Sequence, residues 1–322
     1  MTATTRAQTR LLPLILALGT ALSAAACSSG DAPKAEGPCA TSSSAGASGV
    51  RPIDLPNPEV TVTDPGTGAL RVPASAPDVT SPQQVTLKTD STETSIAPTD
   101  GQQTDVPAVQ TIAQTVTIPL TARAGCTDPK NLEYTMGTPT TPDKALSPQL
   151  KEMGGSTGGV SYLAGLAPTS LRILPRDAAS SPARSAVEQS MIGAFTHSVP
   201  VPTTPVGVGA RWRSVRTVTA ATTVTQTLDV TLKEWKGDVL TLDVTVDEVP
   251  VNAVFQIPGS ADTLHVNRYS MSGKGTVTVD LRRLLPTGGS LSINGARELV
   301  GSDANKPILQ RTGLTVEWSA TK

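Results

Sequence analysis

From Gln83 onward, apolar and polar positions alternate with a period of two, the signature of strands buried on one face. In the clearest stretch, Val224, Leu228, Val230 and Leu232 share one face, and Thr225, Thr227, Asp229 and Thr231 share the other. After a turn at Lys236-Gly237-Asp238, Leu240, Leu242, Val244 and Val246 alternate with Thr241, Asp243, Thr245 and Asp247. One face is apolar and one is wet, as in an antiparallel sheet that covers a core. The same reasoning predicts strands over residues 112–120, 275–281, 291–299 (with a bulge at Asn294-Gly295) and 308–318.

A period near 3.6 occurs once. Residues 182–195 put Ala183, Val187, Met191 and Ala194 on one stripe, with Ser181 as the N-cap and Pro182 in the first turn. This predicts one helix lying across an open sheet. The expected class is mainly β: one large antiparallel curved sheet or half-open barrel with one packed helix, and a two-sheet β-sandwich as the alternative.

The N-terminus follows another pattern. Arg6 and Arg10 precede an apolar run beginning at Leu11, and residues 21–26 are mostly small. The run is shorter than the roughly 20 apolar residues a spanning helix needs, so residues 1–26 read as a removable signal peptide. Ala24-Ala25-Ala26-Cys27 resembles the lipobox of bacterial lipoproteins, although Ala24 stands where a larger aliphatic residue is common. The expectation is a lipid on Cys27 that holds the chain to the outer face of the cell membrane, where two acyl chains suffice as an anchor. Plain secretion is the alternative. Residues 27–82, rich in Pro, Gly, Ser, Ala and Thr, read as a flexible tether with at most a short strand near Val60, and residues 83–322 as the β-rich extracytoplasmic domain. Once Cys27 is lipidated, Cys39 and Cys126 remain, either as a disulfide or as two free thiols.

Composition narrows the function. Loss of residues 1–26 removes two of the 26 basic residues and none of the 27 acidic ones, leaving a formal charge of −3. The tight basic groups, Arg211-Trp212-Arg213 and Arg282-Arg283, read as solvated positions, so nucleic acid is not an expected partner. Aromatics are 2% of the chain, too few both to pack a domain and to pave a sugar-binding surface.

The run Val201-Pro202-Thr203-Thr204-Pro205-Val206-Gly207-Val208-Gly209-Ala210-Arg211-Trp212 resembles a Pro-x-x-Pro-Val-x-Val-Gly-x-x-Trp segment of a family of uncharacterised actinobacterial lipoproteins. In that family a helix precedes the segment and a Thr/Val-rich hairpin follows, as here, and Gly165-Leu166 fits a turn in the same context. The resemblance implies architecture and, by analogy, a relation to lipoprotein folds with a hydrophobic cavity. It implies no catalytic residues.

Chemistry is sparse. The two histidines, His197 and His265, are far apart in the chain and read as ordinary surface or satisfied residues, and no metal-ligand spacing exists, so no catalytic residue, metal or cofactor is expected. Gly207-Val208-Gly209 has Trp212 where a third nucleotide-binding glycine belongs, and reads as a turn. Asp243, Asp247 and Glu248 sit at or beside strand alternation. Gly154-Gly155-Ser156-Thr157-Gly158-Gly159 reads as a linker loop. The leading expectation is a non-enzymatic binding or structural module, with an apolar small molecule or lipid held in a cavity lined by residues such as Leu228, Val230, Leu242 and Val244. A motif-free extracellular hydrolase and a scaffold for a protein partner are the alternatives.

Overall fold

The computed structural model describes residues 37–46, 50, 52–96, 109–257 and 259–321. Residues 1–26 and Cys27 lie outside this set. In chain order the strands are β1 (Ile53–Asp54), β2 (Glu59–Asp64), β3 (Thr67–Arg71), β4 (Gln83–Ile96), β5 (Val109–Ala124), β6 (Asn131–Met136), β7 (Thr157–Leu163), β8 (Ala167–Leu174), β9 (Val206–Val208), β10 (Arg211–Val218), β11 (Val224–Lys236), β12 (Val239–Pro250), β13 (Val254–Gln256), β14 (Thr263–Asp280), β15 (Gly288–Val300) and β16 (Ile308–Ala320). Two helices intervene among the described residues, α1 (Ser147–Lys151) and α2 (Ser181–Thr196).

Fourteen strands form one antiparallel sheet in the order β1-β8-β7-β6-β5-β4-β16-β15-β14-β12-β11-β10-β2, with β13 pairing beside β14, and β3 and β9 form a separate pair. The sheet is not closed by strand pairing. Its edges are nevertheless spanned by one short piece of chain, because β1 lies on β8 and β2 lies on β10. The five-residue step from Asp54 to Glu59 covers at most about 18 Å. Leu55, inside that step, is buried in the core and donates its backbone N–H to Thr169 O at 2.9 Å.

The alternation seen in the sequence becomes inside and outside. Leu228, Val230 and Leu232 of β11 face Val246, Val244 and Leu242 of β12, and all are buried on the concave side. β16 and β4 continue that face with Val316, Trp318, Val85 and Leu87. The helix α2 lies on the concave side with Ala183, Val187, Met191 and Ala194 buried beneath it. Its N-cap is Ser180, whose side chain accepts from Ala183 N, so the helix begins one residue earlier than the Ser181 cap implied. Glycines take inward positions in β14 and β15. At Gly273, Gly275 and Gly295 a Cβ would meet the carbonyl oxygen of the paired strand at under 3.0 Å.

Three expectations change. The tether reading does not hold for residues 52–82, which carry three strands and then pack along the sheet end, with Ala76 N donating to Leu281 O and Asp78 N to Arg282 O. Main-chain pairing holds this segment, and composition arguments are blind to that. The ladder runs without a register break through Asn294-Gly295, and the shift between β14 and β15 falls at Val266/Arg268 instead. Gly295 serves close approach and not a bulge. Finally, Gly158 and Gly159 belong to β7, where their missing side chains let Tyr134 and Arg172 cross the strand.

Candidate functional site

The C-terminal turn of α2 hangs over β14, β15 and β16 and meets the loop after β14. Between them lies a cavity of about 40 Å³ whose lining includes Phe195, Val277, Leu284, Leu285, Leu291, Val316 and Trp318. Phe195 and Trp318 meet edge to face at 6.0 Å between ring centroids. The space admits a water molecule or two and is well below the roughly 150 Å³ that takes up benzene in an engineered protein cavity. Tyr162 and Leu284 also line a second hollow of about 200 Å³, walled by Val72, Pro73, Ala74, Pro77, Leu163 and Ala164. Tyr162 and Leu284 are thus shared by the walls of both, the hollow under α2 being termed inner and the one beside residues 72–77 outer.

The apolar space is not where the sequence put it. Leu228, Val230, Leu242 and Val244 are packed into the main core, each at most 2% exposed, and line neither hollow. Trp212, 1% exposed, fills the concave face at that end and donates its indole N–H to Pro200 O at 3.0 Å, fastening the chain after α2 across β10 and β11.

A polar layer borders the cavity. His197, which follows α2 and lines the cavity, places Nδ1 at 2.8 Å from Gly193 O and Nε2 at 3.4 Å from Glu248 Oε1. Gln226 Nε2 donates to the same carboxylate oxygen at 2.9 Å and Tyr269 OH to the other at 3.1 Å. Burial works to raise the Glu248 carboxyl, but the hydrogen bonds from His197, Gln226 and Tyr269 outweigh it and hold the group below the ordinary glutamate range. Next along the same face, Arg216 is 3% exposed and bonds Ser198 O and Ser198 Oγ, and burial pushes it down to about 10. Arg216 Nε, Gln226 Oε1 and Ser214 Oγ are buried without a hydrogen-bond partner.

The arrangement does not resemble a hydrolytic relay. A general-base histidine needs one ring nitrogen free to take a proton from a hydroxyl. Both ring nitrogens of His197 face acceptors, and the Ser198 hydroxyl is engaged by Arg216. His265 is exposed in β14, paired with Val300 and Val254. Asp243 lies on the outer face, held by Lys233 and Thr276. Among the described residues, no group of three or more His, Cys, Asp or Glu side chains converges.

Cys39 and Cys126 are joined as a disulfide with Cα atoms 5.2 Å apart. The bond fixes the segment around Ala40 to the β5–β6 turn, where Ala40 N donates to Ala124 O and Cys126 N to Ala40 O, both at 2.9 Å. The polar layer went unnoticed in the sequence. Its signal was there, because Ser214, Arg216 and Gln226 are polar residues at inward parity in strands whose other inward positions are apolar. Compared with known proteins, the chain matches no family model and no curated protein.

Proposed function

We propose that the protein is a membrane-tethered extracytoplasmic binding module, lipidated on Cys27, whose ligand is a small apolar molecule or the apolar part of a lipid. The observation that carries this reading is the pair of apolar hollows flanking Tyr162 and Leu284, one of about 40 Å³ beneath α2 and one of about 200 Å³ beneath residues 72–77. Pockets for small ligands combine apolar walls with a few placed polar groups, and His197, Ser198 and Ser290 are the polar groups at the inner one. A ligand larger than a few methyl groups would enter by swinging Leu284 and Tyr162 aside and joining the two spaces. The likeness of the segment around Trp212 to actinobacterial lipoproteins supports the same assignment by analogy.

Native mass spectrometry of the full mature chain from its own host tests the reading. The expected result is a reproducible added mass, beyond the lipid on Cys27, that extracts into organic solvent. A mass equal to the lipidated polypeptide overturns a loaded carrier and favours partner capture at the cell surface. The hydrolase alternative would need His197 released from either Gly193 O or Glu248.

A further inference from the structure

The strand directions place the 236–238 turn, the loop after β14, the 72–82 segment, the β5–β6 turn and the β7–β8 turn at one end of the sheet. Cys126 lies in the β5–β6 turn, four residues before Lys130, and Lys130 lines the outer hollow. The disulfide therefore pins the N-terminal chain to the end where that hollow opens. The same end exposes Val72 (44%) and Leu163 (53%), which wall the hollow, and Leu70 (48%) on the neighbouring β3–β9 pair. A second apolar group, Val249, Val251 and Val254, is exposed at the opposite end.

Chain length separates the two. Twelve residues run from Cys27 to Cys39, spanning at most about 43 Å when fully extended. From the pinned end to Val254 the chain runs along β14 from Asp280 to His265, roughly 50 Å at strand rise. The leash cannot reach a surface beyond that far end. We infer that the end bearing Leu70, Val72 and Leu163 lies against the lipid bilayer, so that the mouth of the outer hollow faces the acyl chains. This rests on the lipid anchor at Cys27 proposed above. The contact is apolar: the turns at this end carry charges of both signs, Lys130, Arg282, Asp128 and Asp238, so zwitterionic lipid is sufficient.

The test uses the lipidated mature chain reconstituted in phosphatidylcholine vesicles doped with a phosphatidylcholine that carries a photoreactive diazirine in its acyl chain. Adducts are mapped by peptide mass spectrometry, and the intact mass reports the lipid on Cys27. Adducts concentrated within residues 70–74 and 163–165 are expected, with at least a fivefold loss in a Val72→Glu/Leu163→Glu variant of unchanged thermal midpoint. Adducts centred on Val249 to Val254, none on the domain, or an undiminished yield in the variant overturn the docking surface while leaving the anchor intact. A mass without acyl chains on Cys27 overturns the anchor itself, and the two failures are read from different peaks.

Discussion

Replacing Gly159 with alanine is expected to destabilise the domain by several kcal/mol, although the change adds only a methyl group. Arg172 of β8 reaches across Gly159 of β7 to Glu133 of β6, with Nη2 at 3.0 Å from Oε1 and side chains only 2% and 9% exposed. Further bonds hold the pair: Arg172 Nε donates to Ser44 Oγ, Nη1 to Ser161 Oγ, and Ser43 Oγ to Glu133 Oε1. A Cβ at 159 would stand under 3.0 Å from Arg172 Nη2, Leu132 O and Glu133 Oε1. Leu132 is fixed in the β6–β7 ladder, so the guanidinium has to move. Breaking one side of a buried ion pair costs about 3–5 kcal/mol. A methyl that met no obstacle would instead stabilise a strand by about 0.5–1 kcal/mol, so the sign of the effect decides. With a urea slope near 3 kcal/mol/M, the top of the usual range, the midpoint should fall by about 1–1.7 M. The assay is equilibrium urea unfolding followed by tryptophan fluorescence without reductant, so that the disulfide stays closed. An unchanged or raised midpoint would refute the crossing argument. Arg172→Met with Glu133→Leu, placed in the Gly159→Ala background, should recover part of the loss, because no buried charge then remains to be stranded.

Three other outcomes are expected. Reduction of the Cys39–Cys126 bond, which closes a separation of 87 residues, should lower stability by at most about 4–5 kcal/mol, read as a drop in urea midpoint on adding reductant. Because the folded Glu248 carboxyl is depressed, its contribution is fully present above the ordinary glutamate value of about 4.3 and is lost as pH falls through the lower folded value. Glu248→Gln should therefore flatten the acid limb of a stability–pH profile below about pH 4.3, and an unaltered acid limb would contradict the assignment. Leu284→Ala should merge the two apolar hollows at a cost of about 2–5 kcal/mol while increasing uptake of an apolar fluorescent probe, and lost stability without added uptake counts against a ligand site there.

The β class was legible in the sequence because its signal is local. At β11 and β12 each apolar residue announces its face by parity, and the inward set is the one observed. The stripe on α2 was equally plain. What parity cannot show is how far a face is filled. Leu228 and Val244 look the same in sequence whether they line a void or are packed into the core. The cavity formed instead near Trp318 and Phe195, residues about 120 positions apart whose meeting depends on the tertiary path. The glycines of β7 were ambiguous for a related reason. The run from Gly154 to Gly159 reads locally as a linker, yet Gly159 is set by side chains and a carbonyl of other strands. The polar layer at Arg216 and Gln226 did break the apolar parity of its strands and could have been found by that break.

The segment before Gln83 has a role that follows from strand edges. Without β1 and β2, the sheet would present β8 and β10 as two free edges, each a template for pairing with another chain. One run of a dozen residues covers both: β1 and Leu55 N pair with the middle of β8, and β2 pairs with five residues of β10. Protection here comes from main-chain hydrogen bonds and polar, solvent-facing side chains, which is why the composition resembles a tether. Replacing residues 52–64 by a Gly/Ser sequence of equal length should therefore uncover two edges at once while removing little of the core beyond Leu55 and its partly buried neighbours. The expected result is concentration-dependent self-association in size-exclusion chromatography with light scattering, with circular dichroism retaining the β signal. A variant that stays monomeric across the same concentrations would show that the edges are guarded by their own twist or side chains, and that the spanning segment serves only to route the chain.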